Sequence, residues 1–97
     1  MHKLILIILL ITFTVGNVWS QYYTPATADS VTRHLFQRGN WDELITVGNR
    51  ILKEDIDLKI LRQRMGYAWL MKGNYLMSGW QYEKALKFDT ADEISNL

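Results

Sequence analysis

The 97-residue sequence contains no cysteine, which excludes disulfide cross-links, thiolate metal sites, a thiol nucleophile and a lipid attached to an N-terminal cysteine. Small exported domains with thin cores usually rely on disulfides, so a cysteine-free chain fits a bacterial envelope better than other exported settings. Histidine is nearly as scarce. His2 and His34 are the only two, too few for a histidine metal site or a Ser-His pair. There is one proline, and 48% hydrophobic against 22% charged residues is the balance of a folding chain rather than a disordered one. No apolar run is long enough to cross a bilayer. The longest, Leu4 to Val15, falls short of the roughly 18 to 20 residues a spanning helix requires.

That run does suit a secretory signal. Met1-His2-Lys3 gives a basic start, Leu4 to Val15 the apolar centre, and Gly16-Asn17-Val18-Trp19-Ser20 a small-residue cleavage region before Gln21. Residues 1–20 are therefore expected to be a signal peptide and 21–97 the mature chain, with membrane contact only through the signal before cleavage. Loss of Lys3 leaves acidic and basic side chains equal in number. That balance gives no electrostatic case for nucleic acid or anionic lipid.

Comparison of the chain with itself finds a repeat at an offset of 34 residues: Arg38-Gly39-Asn40-Trp41 aligns with Lys72-Gly73-Asn74-Tyr75. From each aromatic onward, the positions i, i+3, i+4, i+7, i+10 and i+11 are apolar or small. They are Trp41, Leu44, Ile45, Gly48, Ile51 and Leu52 in the first copy, and Tyr75, Ser78, Gly79, Tyr82, Ala85 and Leu86 in the second. This spacing draws one stripe along a helix. Upstream, Val31 and Leu35, then Leu58, Leu61, Met65, Ala68 and Trp69, mark a preceding helix in each copy. Gly39 and Gly73 are expected to end helices in the left-handed conformation, with Asn40 and Asn74 capping the next and Glu43 completing a capping box. The fold expected is all-α, with stacked antiparallel helical hairpins. Trp41, Trp69 and Tyr75 are the candidates for filling between them.

The second copy, with Gly66, Trp69, Gly73, Tyr75, Ser78, Tyr82 and Ala85 followed by Glu83-Lys84-Ala85-Leu86-Lys87-Phe88-Asp89, resembles the tetratricopeptide repeat family. The resemblance implies an α-solenoid of about two repeats, at about 25–58 and 59–92. In the first copy Thr32, Leu44, Gly48 and Ile51 replace the family's usual residues, and Ile56 and Thr90 stand where a closing proline is common. Thr90-Ala91-Asp92-Glu93 reads as a capping box that opens a further helix over 90–97, as in a longer array.

Several residues invite a chemical role. Glu54, Asp55 and Asp57 lack the Gly and closing Glu of a calcium loop and read as caps of the following helix. Asp42 with Glu43, and Asp92 with Glu93, suit the first turn of helices. Gly39 and Gly73 have no further glycines or Lys-Ser pair to form a phosphate loop. His34 reads as a surface or groove residue, and Trp80 falls off the stripe. No catalytic constellation or cofactor motif is present, so an enzyme is not expected.

The resemblance implies a concave groove lined by the first helix of each repeat. The outward positions on those helices are Asp29, Arg33, Phe36 and Gln37, then Gln63, Arg64, Tyr67, Leu70 and Met71. Of these, Arg33, Phe36, Gln37, Gln63, Arg64, Tyr67, Leu70 and Met71 are expected to bind a peptide or protein partner. The aromatic and aliphatic groups would bury apolar area, and Arg33 or Arg64 would pair a carboxylate. On this reading Arg64→Glu leaves folding intact. The function expected is an exported interaction or scaffold module of the periplasm or envelope, secretion being the other destination. The alternative is the N-terminal soluble part of a larger envelope or outer-membrane protein.

Overall fold

A computed structural model describes residues 23–95 of the chain; the expected signal segment lies outside them. Four helices and no strand are present among the described residues: α1 (Pro25–Arg38), α2 (Trp41–Lys53), α3 (Lys59–Met71) and α4 (Tyr75–Ser95). They form two antiparallel hairpins stacked on each other, an all-α architecture. Of these helices, α3 lies at the centre and packs against α1, α2 and α4, while α2 and α4 do not touch. No described helix is long and apolar enough to cross a membrane.

Both hairpin turns close in the same way, for a reason visible in the chain. Gly39 (φ 70°) and Gly73 (φ 80°) are left-handed, a conformation in which a side chain is strained. The Gly39 amide donates to Phe36 O and the Asn40 amide to Leu35 O; 34 residues later Gly73 donates to Leu70 O and Asn74 to Trp69 O. These bonds satisfy carbonyls that a helix end leaves free.

The caps differ. Asn74 Oδ1 accepts from the Met77 amide at 3.1 Å, as expected. Asn40 does not cap: it sits at φ −82°, ψ 72° and its side chain makes no bond to the first turn, so the expected box with Glu43 is absent. The capping box that forms lies at α1. There the Thr24 hydroxyl accepts from the Thr27 amide at 3.1 Å and the Thr27 hydroxyl accepts from the Thr24 amide at 2.8 Å, with Pro25 at the first helical position, where its missing N–H costs nothing.

The acidic group between the hairpins also departs from expectation. Residue Leu58 precedes α3, with no side-chain cap. Asp57 instead takes both arms of the Arg62 guanidinium, at 2.8 and 2.9 Å, because that cation lies within reach one turn into the helix. Glu54 accepts from the Tyr23 amide at 2.9 Å. Between them Asp55 is the only non-glycine residue with positive φ, at 62°, among those described.

Burial follows the stripe on α2 closely: Leu44, Ile45, Gly48 and Ile51 are buried, and Trp41 and Leu52 pack at the margin. At about 1.5 to 3 kcal/mol for each large aliphatic side chain, these positions and their partners Leu61, Met65 and Ala68 from α3 carry most of the packing. At Gly48 a Cβ would fall 2.6 Å from the Met65 sulfur, and at Gly66 one would fall 3.0 Å from the Tyr82 ring. Ser78 Oγ donates to Gly66 O at 2.8 Å, drawing α4 onto α3 at the same point.

On α4 only part of the stripe is covered. Ser78, Gln81 and Ala85 are buried, whereas Tyr75 and Leu86 are 73% and 64% exposed. Tyr75 is therefore not interior filling, because α3 covers only one side of α4 and no further described helix packs on the side that bears Tyr75. Nor does a new helix open at Thr90: α4 runs unbroken to Ser95. The Thr90 hydroxyl donates to Leu86 O at 3.4 Å within that helix.

Charge joins the hairpins. From Leu58 to Tyr82 the chain carries no acidic residue. Its cations meet carboxylates from elsewhere: Arg64 pairs with Asp29 and Lys72 with Asp42 across the two hairpins, Arg62 with Asp57 of the linker, and Lys59 with Asp89 within the second hairpin.

Candidate functional site

Helices α1 and α3 lie side by side, and periodicity sets which residues face the space between their outer surfaces. Arg33, Phe36 and Gln37 recur at i, i+3 and i+4 on α1. Ile60, Gln63, Arg64 and Tyr67 recur at i, i+3, i+4 and i+7 on α3. With Tyr82 from α4 they line an open groove of about 450 Å³.

Six of the eight residues expected from the sequence converge there. The other two, Leu70 and Met71, occupy the last turn of α3, exposed but outside the groove walls. Sequence reasoning missed Ile60 and Tyr82. Ile60 stands one turn before Gln63 and Arg64 on the same face, a signal that helical spacing contained. Tyr82 was assigned to the stripe, and its ring does rest against Gly66, yet it also reaches the groove. Burial raises its phenol pKa, with Tyr67 adding to the effect. The hydroxyl is thus a neutral hydrogen-bond partner at ordinary pH.

Beside the groove stands an aromatic cluster. Phe36 and Tyr67 have ring centroids 5.2 Å apart, Phe36 and Trp41 5.7 Å, and Trp41 and Tyr67 5.4 Å, all in tilted or edge-on geometries favoured by ring quadrupoles. These rings hold one another in place, giving the apolar wall a fixed shape.

The two arginines are engaged within the chain. Asp29 Oδ2 takes Arg33 Nη2 at 2.6 Å and Asp29 Oδ1 takes Arg64 Nη1 at 2.7 Å. That Arg64 nitrogen also donates to Asp29 O at 2.9 Å and to the buried Thr32 hydroxyl at 3.0 Å. Its side chain is only 12% exposed, so Arg64 is a brace between α1 and α3. This placement argues against the expectation that Arg64→Glu leaves folding intact, since a carboxylate there would face Asp29. Hydrogen bonds from Arg64 and then Arg33 hold the Asp29 carboxyl below the usual carboxylate range. A folded-state pKa below the unfolded value means this contribution is present above the unfolded pKa and lost as pH falls through the folded one.

Other candidate chemistry does not assemble. Among the described residues no three His, Cys, Asp or Glu side chains come together to hold a metal, and His34 is exposed on α1. The first glycine turn borders a recess of about 330 Å³, lined by Asn40, Trp41, Asp42, Glu43 and Lys72. Its two carboxylates oppose an anion. Comparison with family models, with curated proteins and with solved structures finds no match to this chain, so the groove's own geometry carries the functional reading.

Proposed function

We propose that the chain is an exported interaction module of the tetratricopeptide type, which holds a peptide segment of a protein partner in the groove between α1 and α3, without catalysis or cofactor. The observation that carries this reading is the convergence of Phe36, Ile60, Tyr67 and Tyr82 beside the amides of Gln37 and Gln63 in one open groove. Apolar walls bury an aromatic or aliphatic side chain, and flanking amides pair with peptide backbone, the usual division of labour in peptide recognition. The family assignment is supported by the matching glycine turns 34 residues apart and by Gly66 lying under Tyr82. Two guanidinium groups share one carboxylate at the groove edge. The surplus positive charge favours a segment carrying Asp or Glu over one carrying Lys or Arg.

Selection of a displayed random-peptide library on the full chain tests the reading. Selected sequences should pair an aromatic or large aliphatic residue with an acidic one. Ile60→Asp, on an exposed groove wall, should weaken their binding at least about tenfold, or 1.4 kcal/mol. An empty selection, or affinities that Ile60→Asp leaves unchanged, would remove the groove from consideration.

A further inference from the structure

Helices α1 and α3 run in the same direction, which fixes what the groove offers at each level. The Thr32 hydroxyl accepts from Arg64 Nη1 at 3.0 Å, and one turn further along both helices Phe36 meets Tyr67 with ring centroids 5.2 Å apart. The groove therefore has a charged end and an aromatic end, in that order along α1 and along α3.

At the charged end the two guanidinium groups are not equivalent. Arg64 Nη1 donates to Asp29 Oδ1, Asp29 O and Thr32 Oγ1, and the side chain is nearly closed off from water. Arg33 gives Asp29 Oδ2 a single contact through Nη2, and its side chain is 53% exposed. A guanidinium carries five N–H donors, so Arg33 keeps donors that face water. Each Asp29 oxygen is taken by one arginine, and none of the residues lining the groove is acidic. The surplus positive charge is therefore presented by Arg33. Because Asp29 already holds that side chain, little rotamer freedom remains to be lost on pairing with a second carboxylate.

The contact with Asp29, one turn earlier on α1, also draws the Arg33 head group back behind its own Cα. It lies roughly 6 to 7 Å along the helix axis from the Phe36 and Tyr67 rings. An extended peptide presents the same face every second residue, at about 6.6 to 6.8 Å. A helical ligand repeats at a similar distance, but its backbone groups are already satisfied. The exposed amides of Gln37 and Gln63 have work only beside an extended backbone, whose N–H and C=O groups are free. We infer that Arg33 reads the charge of the ligand, and that the groove takes an extended segment with an Asp or Glu two residues from an aromatic anchor. The carboxylate pairs with Arg33 and the anchor lies on Phe36 and Tyr67. The inference rests on the peptide-binding reading of the groove.

A displayed library tests both parts on the full chain. One aromatic residue and one Asp, Glu, Lys or Arg are fixed at separations of one to five residues, and the other positions vary. The wild-type chain should enrich Asp or Glu at a separation of two. Arg33→Glu should enrich Lys or Arg there instead, with helix content unchanged. In an enriched peptide, replacing the acid by Gln should lower affinity about threefold to fivefold on the wild-type chain, the size of an exposed ion pair, and leave it unchanged on Arg33→Gln. An acidic preference that survives Arg33→Glu overturns the role of Arg33. Enrichment at any other separation overturns the extended register, three or four marking a helical ligand. In both cases binding that still falls in Ile60→Asp leaves the groove reading standing, whereas an empty selection, or binding indifferent to Ile60→Asp, removes both.

Discussion

In the first hairpin the glycine turn is flanked by Gln37-Arg38 and Trp41-Asp42-Glu43, while in the second the same turn is flanked by Met71-Lys72 and Tyr75-Leu76-Met77. Backbone geometry is shared to the level of individual hydrogen bonds, yet the aromatic after the turn is followed by two acids in one hairpin and by two apolar residues in the other. The turn needs only a left-handed glycine, which leaves its neighbours free to follow other demands. Helix α2 has both a buried stripe and a helix to bury it; α4 has part of a stripe and an open side. The carboxylates gather in and around the first hairpin and most cations lie on the second, so opposite charge helps to hold the two together.

The largest test of this contrast sets an interior position against an exposed one. Met65→Ala, at a fully buried residue between the hairpins, should cost about 2 to 5 kcal/mol in urea unfolding, whereas Leu86→Ala should stay within about 0.5 kcal/mol. Similar losses at both sites would mean that α4 is covered after all.

Next in size is the ionic brace. Arg64→Glu should destabilise by roughly 1 to 3 kcal/mol, because it breaks a partly buried network and sets two carboxylates together. Arg33→Glu, on the more exposed partner of Asp29, should cost about 1 kcal/mol or less by the same melts. If the two variants behave alike, Arg64 is no more a brace than Arg33.

The shared turn predicts equal penalties. Gly39→Val and Gly73→Val should each lower stability by about 1 to 2 kcal/mol through left-handed strain. The flanking chemistry should matter little, because a Gly39 Cβ would meet only the Trp41 ring, in ordinary contact at 3.6 Å, and a Gly73 Cβ would meet nothing within 4 Å. A twofold disparity would show that the flanks, and not the turn, set the cost. The smallest effect runs the other way: Asp55→Gly, relieving the one non-glycine residue with positive φ among those described, should raise the melting temperature by the equivalent of up to about 1 kcal/mol.

Much of this architecture was legible in the sequence, and the parts that were not share a cause. Helical spacing and the 34-residue offset identified the turns at Gly39 and Gly73, the stripe on α2 and six residues of the groove. Spacing describes which face a residue occupies. It does not say which distant group meets that face. Arg64 meets Asp29, 35 residues away, and so becomes a brace instead of a free cation. Asp57 is drawn to Arg62 and away from capping, and Thr90 lies within a helix whose continuation outweighs a local start signal. Tyr75 carries the same pattern as Trp41, but being covered requires a neighbour.

The central place of α3 has a mechanical consequence. With α2 and α4 out of contact, α3 is the only bridge between them among the described helices, and a force that separates them loads it in shear from both flanks. Tyr82 belongs to α4 but closes one side of the groove while resting on bare backbone at Gly66. A tilt of α4 about that bearing point would widen or narrow the groove without disturbing α1.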